Sequence, residues 1–376
     1  MSLRPSTDGT SRFESVARLV LATAGASVAL AATLPLLLVA LPFWVVRVLT
    51  SAGGKLSRRL QPRETPWEEL VRFEPEVGWI PLPGLDTHAR AGHLFHLSTD
   101  EEGWRGPTSL HDADIVVVGD SFAFGYGASD RDLFTEQVPG LSAKGVGANG
   151  YSMVQGLLWM ERLGERLRDR TVVWIVYYGN DLYENLVPNQ GRYRMPFVRE
   201  SATGRNDWQV VTEHVGPEPW PFHRDRWYDQ ILAEICSRTF VSDRAFRACE
   251  YLIGRGRDLC REAGARLALV GNPDVDMVRP GGIAHLRERS SAPGTFDVGR
   301  PDRELASMCE RLEVPFYALS SVLTVRDHLP WDCHWSPQGH RKVARVLARI
   351  HRDLAPSPGE TPATGTSEPA VARVGG

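Results

Sequence analysis

From Ile115 to Leu354 the chain alternates short unbroken apolar runs with stretches of helical period. Ile115–Val118, Thr171–Tyr178, Arg266–Gly271 and Val314–Leu319 are rich in β-branched, aromatic and other apolar residues. Most are bounded by Gly, Asn or Pro, which is how buried strands read. TVVWIVYY at Thr171–Tyr178 shows no polar alternation after its threonine, as expected of a central strand covered on both faces. Arg131–Val138, Val154–Arg168, Arg226–Arg238, Ser242–Ala263, Asp302–Leu312 and Ser336–Leu354 are predicted helices. Leu157, Leu158 and Leu163 give the second of these an apolar face best spent on core. Lys144–Gly150 is a short segment ahead of it. Strands alternating with helices predict an α/β fold, a parallel sheet with helices on both sides.

The pattern before and after this region differs. Leu19–Val46 carries no charged residue and is bracketed by Arg18 and Arg47. About 20 apolar residues suffice to span a bilayer, so this stretch is long enough to cross with tilt. It is far longer than the roughly 7–15 residues of a signal-peptide core, which favours a retained anchor over a cleaved leader. Pro35 and Pro42 are tolerated in a lipid-embedded helix, and Phe43 and Trp44 suit an interfacial belt. More basic residues follow the segment than precede it, a weak lean towards a cytoplasmic C-terminal part that leaves the side unresolved. The expected organisation is an N-terminal tail (1–18), a transmembrane anchor (19–46), a basic linker (47–65), a loop-rich lead-in with short strands (66–113) and a catalytic domain (114–354). A polar insertion at 186–222 interrupts that domain, and a Pro/Ser/Thr/Gly-rich tail at 355–376 is expected to be disordered.

Composition narrows the classes. Net charge is −3, and no basic cluster is interleaved with aromatics, so nucleic acid is not an expected partner. The five cysteines contain no CxxC pair, which argues against a disulfide scaffold or zinc knuckle. His88, His93 and His96 fall in the lead-in and read as scattered surface histidines rather than a metal site. No cofactor is expected, and oligomeric state is not readable.

The chemistry gathers at strand ends and loops. Asp120-Ser121 follows Ile115–Gly119, where open α/β sheets place ligands. Asn180 follows Thr171–Gly179, and Asp332-Cys333-His334 lies near the C-terminus. A serine nucleophile needs a base, and the base needs an orienting group; His334 and Asp332 can serve. Oxyanion donors are available at the Ser121 and Gly150 N–H groups and the Asn180 amide, with Gly147 competing with Gly150. Asp120 reads as structural, His340 as a helix-surface or packing residue, Cys333 as small filler, and Asp274 and Asp276 as solvated turn acids. A rival lies in Gly145–Gly150, GVGANG, which matches the dinucleotide fingerprint GxGxxG. It lacks a convincing strand before it and an acid after the next strand.

GDSF at Gly119–Phe122, Gly150 in ANGYS, GND at Gly179–Asp181 and DCHW at Asp332–Trp335 occur in that order. They resemble the four blocks of the SGNH hydrolase superfamily, the GDSL-type esterases and lipases. EEGWRGP, before the first strand, resembles membrane-anchored bacterial members. The resemblance spans roughly Phe73–Leu354 and implies a flavodoxin-like three-layer sandwich. It also implies Ser121 as nucleophile, His334 as base, Asp332 as its partner, and Ser121, Gly150 and Asn180 as the oxyanion hole. Phe122 departs from the leucine of many members, and one residue rather than two separates Asp332 from His334. The expected function is a membrane-anchored serine hydrolase of small-molecule or glycan esters. The same machinery with a sugar hydroxyl in place of water is a polysaccharide or envelope O-acyltransferase, and these residues do not separate the two. More distant are a catalytically silent scaffold and the dinucleotide-binding reading.

Overall fold

The computed structural model describes residues 64–188, 194–201, 207–217 and 227–355. The expected tail, anchor and linker up to residue 63, part of the 186–222 insertion and the tail from 356 lie outside the described residues.

The lead-in forms two antiparallel hairpins, β1 (Val71–Glu74) with β2 (Gly78–Pro81) and β3 (Asp86–Ala91) with β4 (His93–Ser98). The first predicted strand, β5 (Ile115–Gly119), runs into a one-turn helix α1 (Ser121–Phe124). Then come β6 (Ala143–Gly147), α2 (Met153–Leu163), β7 (Thr171–Tyr177) and the short α3 (Asp181–Glu184). The insertion holds a two-stranded ribbon, β8 (Phe197–Glu200) and β9 (Trp208–Val211), where no period was legible. After α4 (Trp227–Ile235) and α5 (Phe240–Ala263), β10 (Arg266–Asn272) leads to α6 (Val275–Val278), α7 (Gly282–Arg289) and α8 (Arg300–Arg311). The chain closes with β11 (Phe316–Ala318) and α9 (Pro337–Asp353).

The central sheet has the order β11-β10-β7-β5-β6, and every pairing in it is parallel. Counted along the sheet's own strands this is 2-1-3-4-5, the flavodoxin-like doubly wound order. Side chains alternate between the faces of each strand. Val116, Val118, Val172 and Trp174 meet α2, α5 and α8 in one core. Ile115, Val117, Val173 and Ile175 meet α1 and α9 in the other. Both faces are buried, so these strands read as continuous apolar runs.

Two expectations need correction. Arg131–Val138 is not a helix but two 3-10 turns, Asp130–Asp132 and Thr135–Gln137. Leu133 between them is extended, and the Phe134 N–H is donated to His340 Nδ1 at 3.2 Å rather than to the preceding turn. The stretch ahead of Gly150 does contain a strand, β6, and Gly145 and Gly147 lie within it. A Cβ at Gly145 would meet the Ala123 carbonyl at 2.2 Å, and one at Gly147 the Gly119 carbonyl at 2.4 Å. These glycines let β6 approach the turn carrying Ser121. They are not the strand-to-helix turn that a dinucleotide fingerprint requires. Among the described residues no helix is long and apolar enough to cross a membrane.

Candidate active site

Ser121 is the first residue of α1, directly after β5. Asp120 caps that helix, its Oδ1 accepting the Phe122 N–H at 2.9 Å. Burial pushes the Asp120 carboxyl up to about 6, although the Phe122 N–H and His334 oppose the shift. Asp120 thus makes the backbone bond expected of it, and its Oδ2 also lies 3.4 Å from Ser121 Oγ. The turn beyond is clamped by Arg105 of EEGWRGP, a buried guanidinium that donates to the carbonyls of Gly125 at 2.6 Å and of Ala128.

Asp332 and His334 sit in the loop before α9. Trp335 anchors that loop by donating its indole N–H to Asn272 Oδ1 at 3.1 Å, at the end of β10. His334 Nε2 lies 2.7 Å from Ser121 Oγ, and Nδ1 is hydrogen-bonded to Asp332 Oδ1. With Nδ1–H donated to the carboxylate, Nε2 is free to accept the serine proton. Burial pushes the Asp332 carboxyl up, but the His334 ring and N–H outweigh it and hold the group at about 2. For His334 burial works against the charged ring. Cys333 and Asp332 outweigh it and raise the imidazole to about 10. Phe122 stacks on this ring, centroids 4.8 Å apart at 29°. The departure from leucine thus supplies an aromatic wall against the imidazole.

A cavity of about 680 Å³ opens over Ser121 and His334. Gly150 and Asn180 line it beside Ser121, one following β6 and the other β7. Ser121 and Asn180 therefore flank the point where the strand order reverses between β5 and β7. Gly150 has φ +77°, a left-handed conformation that glycine adopts without strain. Gly147 is inside β6 and does not line the cavity. The loop around Gly150 is braced by the lead-in. Trp79 donates its indole N–H to the Asn149 carbonyl at 3.0 Å, and the Tyr151 hydroxyl donates to the Trp79 carbonyl.

The cavity also contains residues that the sequence did not single out. Trp67, Glu68 and Trp79 come from the lead-in, Tyr126 follows α1, and Tyr177 ends β7. Asp274 is not a solvated turn acid. It caps α6, accepts a hydrogen bond from the Tyr177 hydroxyl, and burial raises its pKa. Asp276 is ion-paired with Arg279. His340 is a packing residue: it stacks on Phe134, and burial pushes it down to about 3. Cys333 lies against His334, and burial raises its thiol. Asp332, Cys333 and His334 place ligand-type atoms within 4.8 Å of one another, but both His334 ring nitrogens already have partners. His88 and His96 face each other across β3 and β4, whereas His93 lies against Trp331, so the three do not converge.

Ser121 thus follows β5, Gly150 follows β6, Asn180 follows β7, and the Asp/His pair precedes α9. No protein-family model matches the chain, and no curated protein matches it. Solved structures do, at 13–15% identity. The inhibitor-bound form of M. smegmatis aryl esterase is 13% identical, TM-score 0.38, covering 64% of this chain and 99% of that one. TesA is 13% identical, TM-score 0.37, over 64% and 99% of the two chains. A carbohydrate acetylesterase family member from Sinorhizobium meliloti is 15% identical, TM-score 0.36, over 64% and 97%.

Proposed function

We propose that the protein is a serine hydrolase of ester bonds working through an acyl-enzyme at Ser121, held at a membrane by residues 19–46. The observation that carries this reading is the Ser121–His334–Asp332 chain of hydrogen bonds at the floor of a cavity. Ser121 Oγ gives its proton to His334 Nε2 and attacks the acyl carbonyl carbon. Negative charge develops on the carbonyl oxygen, which the Ser121 and Gly150 N–H groups and the Asn180 amide are suited to receive. Asp332 steadies the imidazolium. The carbon–oxygen bond to the alcohol breaks, and the His334 Nε2 proton passes to the leaving oxygen. Water then gives a proton to His334, attacks the acyl-enzyme and releases the carboxylic acid, and the proton returns to Ser121.

The lining favours substrates without negative charge near the ester. Among the described residues it offers Trp67, Trp79, Tyr126 and Tyr177 together with carboxyl groups, and no lysine or arginine. Aromatic faces suit apolar or ring-shaped groups.

The deciding experiment is labelling with a fluorophosphonate followed by peptide mass spectrometry. The expected adduct is on Ser121, and Ser121→Ala is expected to abolish both label and p-nitrophenyl acetate turnover with an unchanged circular-dichroism spectrum. A folded wild-type sample that takes no label, beside a control hydrolase that does, overturns the reading.

A further inference from the structure

Asn180 is 5% exposed, and its side-chain Nδ2 donates to Glu184 Oε2 at 2.7 Å. Glu184 is the last residue of α3, one turn beyond, and is fully buried. Asn180 Oδ1 is also buried and has no hydrogen-bond partner. Burying an amide oxygen without a partner is unfavourable, so something must hold the amide this way round.

Glu184 supplies that hold. A side-chain amide has two nearly isosteric orientations, and its neighbours decide between them. In the flipped orientation the Asn180 oxygen would face the Glu184 oxygen, acceptor against acceptor. With Nδ2 on Glu184, one N–H is spent on the carboxyl group and the other remains. Asn180 lines the cavity beside Ser121, and its Oδ1 is buried. The group it can offer to a developing oxyanion is therefore the second N–H. The short helix that spaces the two residues is itself pinned to the sheet, because Asp181 Oδ2 accepts the Tyr177 N–H at 2.8 Å.

We infer that Glu184 is a positioning residue that locks the Asn180 amide with its N–H towards the oxyanion position; this rests on the serine-hydrolase reading. Glu184 touches no reacting atom. Removing it lets the amide flip and present an oxygen to the oxyanion, a defect felt in the transition state and not in substrate binding.

The test is steady-state kinetics on p-nitrophenyl acetate with the full chain. Glu184→Met keeps the volume and removes the acceptor. It is expected to lower kcat about 10- to 100-fold with KM changed less than about 2-fold, no more than the roughly 10²–10³-fold loss of removing an oxyanion donor outright. Glu184→Gln, whose amide oxygen still accepts from Nδ2, is expected to restore most of the rate. In an Asn180→Ala background, Glu184→Met is expected to cost nothing further, since no amide is left to orient. Unchanged kcat in Glu184→Met, or losses that multiply in the double variant, overturn the inference while the hydrolase reading stands. If the Met variant fails to fold, Glu184→Ala and the Gln variant carry the same comparison. A wild-type chain without turnover and without label on Ser121 overturns both.

Discussion

At the scale of single residues, the site is governed by how one imidazole is held. His334 stands between an acid that has lost its proton and a serine that keeps one. Its pKa is raised, so the free-base form that accepts the serine proton is gained at higher pH than for an ordinary histidine. The acidic limb of the kcat/KM profile is therefore expected above the ordinary histidine value of 6.5, with activity increasing into the alkaline range. Asp332→Asn removes the carboxylate that favours the charged ring, so the limb is expected to move to lower pH. The same change also loses the orienting acceptor on Nδ1, and kcat is expected to fall by up to about 10⁴-fold, as for other triads stripped of the correct tautomer. A stopped-flow or plate-reader pH profile of both proteins checks the direction. A limb that stays in place or rises in the variant contradicts the assignment of Asp332. Asp332 and His334 were legible because they are two residues apart in one loop. The Asp274–Tyr177 pair was not, because 97 residues separate its members and only the parallel register of β7 and β10 brings them together.

At the scale of elements, what the sequence revealed follows from what each element buries. β5 and β7 are covered on both faces and show it as unbroken apolar runs. β6 is equally buried, yet its two glycines, required by the close approach of α1, dilute the signal below recognition. Leu133, Phe134 and Val138 have helical spacing without a helix, because a partner from α9 takes the Phe134 N–H. That partner, His340, ties the two elements together and makes the tie sensitive to acid. The unfolded chain protonates this ring near 6.5, whereas the folded one resists until about 3. A folded pKa below the unfolded one makes the contribution complete above pH 6.5 and progressively lost as pH falls towards 3, by about 1.4 kcal/mol per pH unit at most. His340→Phe is expected to cost about 1–3 kcal/mol at pH 8, where it orphans the Phe134 N–H, and to flatten the decline between pH 6.5 and 5. Urea melts at three pH values measure both effects, and a variant as acid-sensitive as wild type would remove His340 from the account.

At the scale of the whole molecule, the lead-in is the part whose role the chain order hides most. Read alone it is a loop-rich preface rich in Pro, Gly and aromatics. In the fold its Trp67 and Trp79 form a wall of the cavity, Trp79 braces the loop of Gly150, and Arg105 fixes the turn behind Ser121. Trp331, one residue before Asp332, donates its indole N–H to the Ala91 carbonyl of β3, so the lead-in also touches the loop of the candidate base. The described residues that line the cavity all lie at position 64 or beyond. The proposed anchor should accordingly be separable from the chemistry. The full chain is expected in the membrane pellet and resistant to alkaline carbonate, because a span of this length is held by the hydrophobic effect and not by charge. A chain beginning at residue 64 is expected in the supernatant, with kcat on p-nitrophenyl acetate within about 2-fold of the full protein, since a group that touches neither ground state nor transition state alters neither. Carbonate release of the full chain would remove the anchor. Loss of turnover in a folded 64–376 chain would instead mean that the preceding residues reach the site.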